Sequence, residues 1–75
     1  MAKIFKYGTY EFEETIKNGV SYLRPMFKNV HDIAYIIVDI ANARRKTIKL
    51  IFKNSVFSIE PWSHTNRVLE DLRNL

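Results

Sequence analysis

Five cations fall close together in the second half of the chain. Arg44, Arg45 and Lys46 are consecutive, and Lys49 and Lys53 follow within the next seven positions. Clustered cations bind the phosphates of a nucleic acid, because each neutralised phosphate releases counterions and adds affinity. The cluster therefore makes nucleic-acid binding one hypothesis. A structural interpretation is favoured over it, because cations at a helix C-terminus complement the helix dipole and lysines on a strand deter edge-to-edge aggregation.

Few other side chains suggest chemistry. Trp62 is expected in a loop, either as a binding anchor or, as we favour, as a hydrophobic staple over the next helix. His31 and His64 are the only imidazoles, and neither stands in a metal-binding motif. Both glycines are expected in turns, and no nucleophile motif is present. The sequence therefore predicts no metal site, no cofactor and no enzymatic activity.

Residues 47–60 are typical of a β-hairpin. With a turn at Asn54-Ser55, Phe52 would pair with Phe57 and Lys49 with Glu60. Side chains alternate between the two faces of a strand, so this register separates apolar from polar residues. The apolar face would carry Ile48, Leu50, Phe52, Phe57 and Ile59. The opposite face would carry Lys49, Ile51, Lys53, Val56, Ser58 and Glu60.

Two apolar side chains lie on this otherwise polar face. Ile51 and Val56 would mark an interface if they are exposed, because exposed apolar groups with a charged rim are typical of binding surfaces. The alternative, weighted equally, is that the C-terminal helix covers them. The predicted protein-binding residues are Lys49, Ile51, Lys53 and Val56, with Trp62 as an outlying anchor.

The N-terminal part of the chain predicts a second hairpin. A two-residue turn at Gly8-Thr9 places Tyr7 opposite Tyr10 and Lys6 opposite Glu11. Its aromatic face is assigned to the core and consists of Phe5, Tyr7, Tyr10 and Phe12.

Residues 13–24 fit two structures. Asn18-Gly19 is a strong hairpin signal and extends the first hairpin into a three-stranded meander. Apolar residues at helical spacing support a helix instead. We favour the meander, because Gly19 would weaken a helix and Pro25 pushes Arg24 towards extended geometry.

Two helices are predicted. A central helix at about residues 30–45 has Asn29 as its cap, and its broad apolar face predicts that it is nearly engulfed. A C-terminal helix at about residues 64–74 is capped by Ser63 or Thr65. Its apolar stripe is Val68, Leu69, Leu72 and Leu75, and its expected ion pairs are Arg67–Asp71 and Glu70–Arg73.

Size and composition limit the class of protein. The 75 residues are enough for one small domain with a thin core, so self-association is an alternative source of stability. The chain has no cysteine, a net charge of +4, and neither an export signal nor an apolar segment of membrane-spanning length. These features favour a cytoplasmic protein, and the abundance of Lys, Asn and Ile is typical of AT-rich coding.

The sequence as a whole predicts an α+β fold over residues 1–75. An N-terminal hairpin or meander, a buried central helix, a second hairpin and a C-terminal helix would pack around one core. The leading functional hypothesis is a small non-enzymatic module that binds another protein, such as an accessory factor of a phage or mobile element. The alternative is a nucleic-acid-binding module that uses Arg44, Arg45, Lys46, Lys49 and Lys53.

Overall fold

The computed structural model of the chain describes residues 2–75 and contains five strands and two helices. The predicted α+β class is therefore confirmed. The elements, in chain order, are β1 (Lys3–Tyr7), β2 (Tyr10–Lys17), β3 (Val20–Pro25), α1 (Val30–Arg44), β4 (Ile48–Phe52), β5 (Ser55–Ile59) and α2 (Thr65–Arg73).

All five strands form one sheet in the order β1-β2-β3-β4-β5. Neighbouring strands are antiparallel except β3 and β4, which are parallel. Parallel neighbours need a long crossover connection, and α1 supplies it. The sheet is therefore a three-stranded meander and a hairpin, joined side by side through one helix.

The predicted meander is confirmed, and the helical alternative for residues 13–24 is wrong. In the second turn Asn18 and Gly19 have φ angles of 53° and 77°, as a two-residue turn with two left-handed positions requires. The pairs Thr15–Tyr22 and Glu13–Arg24 form as this turn dictates. The first hairpin also has the predicted register, with Tyr7 opposite Tyr10.

The predicted turn of the last hairpin is wrong. The turn is Lys53-Asn54, with φ angles of 49° and 63°, and not Asn54-Ser55. The predicted Lys49–Glu60 pair therefore does not form, and Lys49 lies opposite Ser58. The pairing differs from the prediction by two residues.

The observed register is favoured by burial. It pairs Ile48 with Ile59 and Leu50 with Phe57, whereas the predicted register would have left Ile48 opposite Pro61. A shift of two residues leaves every side chain on the same face, because side chains alternate with a period of two. The predicted composition of the apolar face is therefore correct although the pairing is not; of the residues predicted on the polar face, Lys53 lies in the turn and Glu60 beyond the end of β5.

Both helices pack on one face of the sheet. This face supplies the buried strand residues Phe12, Leu23, Ile48, Leu50 and Ile59. Helix α1 contributes Ile33, Ala34, Ile37, Val38, Ile40 and Ala41, and α2 contributes Val68, Leu69 and Leu72. We call the other side the open face, since none of its side chains is buried and no element of residues 2–75 covers it. The strand residues of the open face are Ile4, Lys6, Glu11, Glu13, Thr15, Lys17, Val20, Tyr22, Arg24, Lys49, Ile51, Val56 and Ser58.

Helix α1 begins where the sequence predicts. The side chain of Asn29 accepts a hydrogen bond from the backbone N–H of Asp32, and Arg45 ends the helix in the left-handed conformation. The helix is buried along its broad apolar side, as predicted, and Tyr35, 59% exposed, and Asp39 lie on its exposed stripe. The helix packs on one face of the sheet.

Helix α2 lacks the predicted caps. His64 is its N-cap residue and makes no capping hydrogen bond, while the Ser63 hydroxyl donates to the carbonyl of Glu60. Neither predicted ion pair of α2 is present among the described residues. Its apolar stripe is buried as predicted except for Leu75, which is exposed beyond the helix end.

The last turn gives a test of the corrected register. Lys53→Asn combined with Asn54→Gly should stabilise the protein by about 1 kcal/mol, because Asn-Gly suits two left-handed positions better than Lys-Asn does. Chemical denaturation would measure the change in the free energy of unfolding.

The other turn supplies the matched control. Asn18→Lys combined with Gly19→Asn makes the reverse exchange and should destabilise the protein by a similar amount, about 1 kcal/mol. A loss of stability on introducing Asn-Gly at positions 53 and 54 would contradict the turn described above.

Candidate functional site

The open face has a small apolar area on its last two strands. Ile51 of β4 lies directly opposite Val56 of β5, and the Val56 side chain is 56% exposed. Helix α2 packs on the other side of the sheet and does not cover either residue. Of the two interpretations of these residues, burial under the C-terminal helix is therefore ruled out.

The structure brings together three of the five predicted protein-binding residues. Lys49, Ile51 and Val56 are neighbours on the open face. Lys53 instead occupies the turn, and its ammonium lies 5.5 Å from the ring centroid of Phe52, a side chain of the helix side.

Trp62 lies away from this group, in the loop between β5 and α2. Its side chain is 73% exposed, so it does not act as the staple that the sequence favoured. Its backbone N–H donates to the side-chain oxygen of Asn42 on α1, which holds the loop on the helix side of the sheet. Its φ of 66° is unusual for a bulky residue and marks a constrained backbone.

Ion pairs neutralise part of the open face. Lys6 pairs with Glu11 at 3.9 Å, and Arg24 pairs with Glu13 at 2.5 Å. These pairs connect neighbouring strands and are exposed, so each contributes little to stability.

Two lysines of the open face have no carboxylate partner among residues 2–75. The ammonium of Lys17 lies 5.9 Å from the ring centroid of Tyr22, and that of Lys49 donates to the hydroxyl of Ser58. Since Tyr22 lies beside Lys49 in the parallel pair of strands, one aromatic ring stands between the two cations. The positive charge of the open face is centred here.

The five-cation cluster predicted from the sequence is divided in space. Lys49 lies on the open face, but Arg44 lies on the helix side of the sheet. Arg45 and Lys46 are exposed where α1 leads into β4. The sheet separates these groups, so the cations do not form one phosphate-binding patch.

Arg44 is held by a buried carboxylate that sequence analysis did not identify as a partner. Its Nη1 atom donates to Oε2 of Glu14 at 2.9 Å and to Oγ of Ser21 at 3.1 Å. The Ser21 hydroxyl donates to the same carboxylate oxygen at 2.5 Å. The guanidinium carbon also lies 4.6 Å from the ring centroid of Phe5, so one side chain of α1 contacts the first three strands.

Glu14 is the only charged side chain buried among the described residues, at 5% exposure. Burial raises the pKa of its carboxyl, but the hydrogen bonds from Ser21 and Arg44 and the charge of Arg44 outweigh burial and leave the pKa below its ordinary value. The signal in the sequence was the strand period: Glu14 shares its face with Phe12 and therefore had to point into the core.

A cleft of about 300 Å³ lies beside this cluster, lined among others by Glu14, Arg44, Lys46 and Thr47. The polar groups at its base already satisfy one another, and no buried side-chain polar atom in residues 2–75 lacks a hydrogen-bond partner. The cluster is thus explained by its contribution to stability alone.

Within the same residues, no group of three or more His, Cys, Asp or Glu side chains is placed to hold a metal ion.

Comparison with known proteins adds no relative. No protein-family profile, curated protein or solved structure matches the chain.

None of the helices in residues 2–75 is long and apolar enough to cross a membrane.

The buried ion pair predicts a pH-dependent effect of Glu14→Gln. At pH 7 the substitution should destabilise the protein by about 1–3 kcal/mol, because it leaves the Arg44 guanidinium without its counter-charge. Since the folded-state pKa of Glu14 is lowered, the contribution of its charge is present above its ordinary pKa of 4.5 and is lost as the pH falls through the folded-state value.

Chemical denaturation of both proteins at neutral and acidic pH would measure this. The difference in unfolding free energy should shrink on acidification. Glu13→Gln is the matched control, since Glu13 precedes Glu14 but pairs with Arg24 on the open face. A difference that is the same at both pH values would contradict the role given to the carboxylate.

Proposed function

We propose that this chain is a non-enzymatic, cytoplasmic binding module that recognises another protein through its open face. The contact centres on Ile51 and Val56, with Lys49 beside them. The observation that carries the proposal is a sheet with both helices packed on one face and the other face uncovered by any element of residues 2–75.

The composition of the open face supports a protein partner. Protein interfaces combine an apolar centre with a polar, solvent-accessible rim. Here the cross-strand pair Ile51 and Val56 forms the apolar centre, and the strand pairs Arg24–Glu13 and Lys6–Glu11 supply charges of both signs on the strands to one side of it. The sheet also presents these side chains on rigid elements, which lowers the entropy cost of binding.

Ile51→Glu tests this proposal. The tagged domain would be expressed in its source cells, and the proteins that co-purify with it would be quantified by mass spectrometry. We expect a specific partner of the wild-type domain to be lost, because a carboxylate at the centre of the contact would be buried without a counter-charge.

The control is Tyr35→Glu, which introduces the same charge at an exposed residue on the outer side of α1. It should retain the partner. Circular dichroism and thermal unfolding would establish that both variants fold. A folded Ile51→Glu variant that retains every partner of the wild type would overturn the proposal.

A second candidate function, nucleic-acid binding, is supported by the arrangement of Lys17, Tyr22 and Lys49. Cations that flank a half-buried aromatic ring match part of the combination used to bind single strands, in which bases stack and phosphates are neutralised. The division of the five-cation cluster weakens this candidate, since Arg44 is committed to Glu14.

Fluorescence anisotropy with labelled single- and double-stranded DNA and RNA would decide between the candidates. If the domain binds nucleic acid, Lys49→Glu should weaken binding. It should also reduce the slope of log affinity against log salt concentration by the amount expected for about one phosphate contact. Lys46→Glu, which makes the same charge change away from the open face, should have a smaller effect. Absence of binding even at low salt would exclude this candidate.

A further inference from the structure

A groove runs between the edge strand β5 and helix α2. Its volume is about 440 Å³. On the strand side it is lined by residues 56–60, and on the helix side by His64, Arg67, Val68 and Asp71 among others. No element of residues 2–75 fills this groove or pairs with the outer edge of β5.

The edge of β5 has free backbone groups at two positions. In a two-residue hairpin the pair next to the turn, here Phe52 and Ser55, exchanges hydrogen bonds, and hydrogen-bonded and non-hydrogen-bonded pairs then alternate. The N–H and C=O groups of Phe57 therefore point towards β4. Those of Val56 and Ser58 point outwards and have no hydrogen-bond partner within residues 2–75.

The two edges of the sheet differ in how they are protected. The outer strand β1 carries Lys3 and Lys6, and charged side chains on an edge oppose pairing with another chain. Strand β5 has the sequence Ser-Val-Phe-Ser-Ile, with neither a charge nor a proline. An unprotected edge of this kind is a template for strand addition.

The charges beside this edge are self-complementary. Arg67 and Asp71 are both exposed and both line the groove, yet neither is in an ion pair among the described residues. A two-fold interface presents the same surface to itself, so a patch with one cation and one anion satisfies itself when the axis passes between them.

We propose that two copies of this chain associate through β5. The strands pair antiparallel about a two-fold axis at Phe57, so that Val56 exchanges hydrogen bonds with Ser58 of the second copy and the two sheets become continuous. The inference goes beyond the proposed function, because it uses the strand edge and the groove and leaves the open face free.

Helix and strand dimensions fit this symmetry. Helix α2 follows β5 after a short loop and runs back along it, so Arg67 comes before Asp71 as the chain returns towards Val56. Four helix residues rise about 6 Å and two strand residues about 6.6 Å. In the proposed dimer, the axis that exchanges Val56 with Ser58 also brings Arg67 opposite Asp71 of the second copy, and the similar spans of the two pairs are compatible with this.

The required contact is small relative to the domain. A standard interface buries about 800 Å² on each partner. This is less than one sixth of the accessible surface of 5181 Å². A chain of this size gains stability from association.

Val56→Pro tests the strand pairing by analytical ultracentrifugation. Proline removes the outward N–H of Val56 but no hydrogen bond to β4, so the hairpin can be kept. The wild type should be a dimer, and the dissociation constant of the variant should be at least about tenfold higher. The substitution is present in both copies, so the dimer loses two hydrogen bonds.

Ile4→Pro is the matched control. The backbone of Ile4 also points outwards, but from the opposite edge β1, so this variant should remain dimeric. A wild type that stays monomeric at about 1 mM, where even a weak dimer forms, would overturn the inference. The inference would also be overturned if the Val56→Pro variant remained dimeric, or if Ile4→Pro abolished the dimer while Val56→Pro did not.

A charge exchange tests the register without changing the strand. Arg67→Asp should weaken the dimer, because it places two carboxylates opposite each other, and adding Asp71→Arg should restore it. Failure of the double variant to restore the dimer would contradict the proposed axis. Ile51→Glu should leave the dimer intact, so loss of a protein partner and loss of self-association are measured separately.

Discussion

The parallel pairing of β3 with β4 is the constraint on which the rest of this structure depends. Two parallel neighbours cannot be joined by a turn, so the chain must leave the sheet and return through α1. A helix that crosses in this way covers one face of the sheet. Once α1 lies there, α2 packs beside it, and both helices bury their apolar sides on the same face. The open face is a consequence of this single connection.

The buried ion pair strengthens the same arrangement at the end of α1. Arg44 is the last residue of the helix and contacts Glu14, Ser21 and Phe5, which lie on three successive strands. A lone buried carboxylate would be costly, but hydrogen bonds and an opposite charge offset the loss of solvation. We infer that the pair fixes where the helix ends on the sheet. It also removes Arg44 from any surface that binds phosphate.

The two proposed binding surfaces follow from what the helices leave uncovered. The open face offers side chains on rigid strands, and the β5 edge offers backbone groups beside a groove. These are different kinds of recognition: one depends on the chemistry of side chains such as Ile51, the other on main-chain hydrogen bonds. A domain of this size can use both, since they lie on different sides of the same hairpin. Trp62, exposed on the helix side, belongs to neither surface.

The sequence by itself determined the local structure. Turn residues such as Asn18-Gly19, the helix cap Asn29 and the alternation of apolar residues all act over a few positions, so the strands, the first two turns and the faces of each strand were predictable. Pairing at the Lys53-Asn54 turn was not, because a shift of two residues leaves the pattern of faces unchanged. Only burial of Ile48 against Ile59 distinguishes the two registers.

Tertiary structure decided what is exposed and what is brought together. Spacing along the chain placed Arg44 near Lys49, but the sheet lies between them, and the partner of Arg44 is thirty residues away at Glu14. Likewise, no local pattern shows whether a helix covers Ile51 and Val56, because that depends on which face the crossover takes. The physical reason is the separation along the sequence over which each interaction acts. Propensity and alternation act between near neighbours, whereas burial and ion pairing depend on contacts between distant segments.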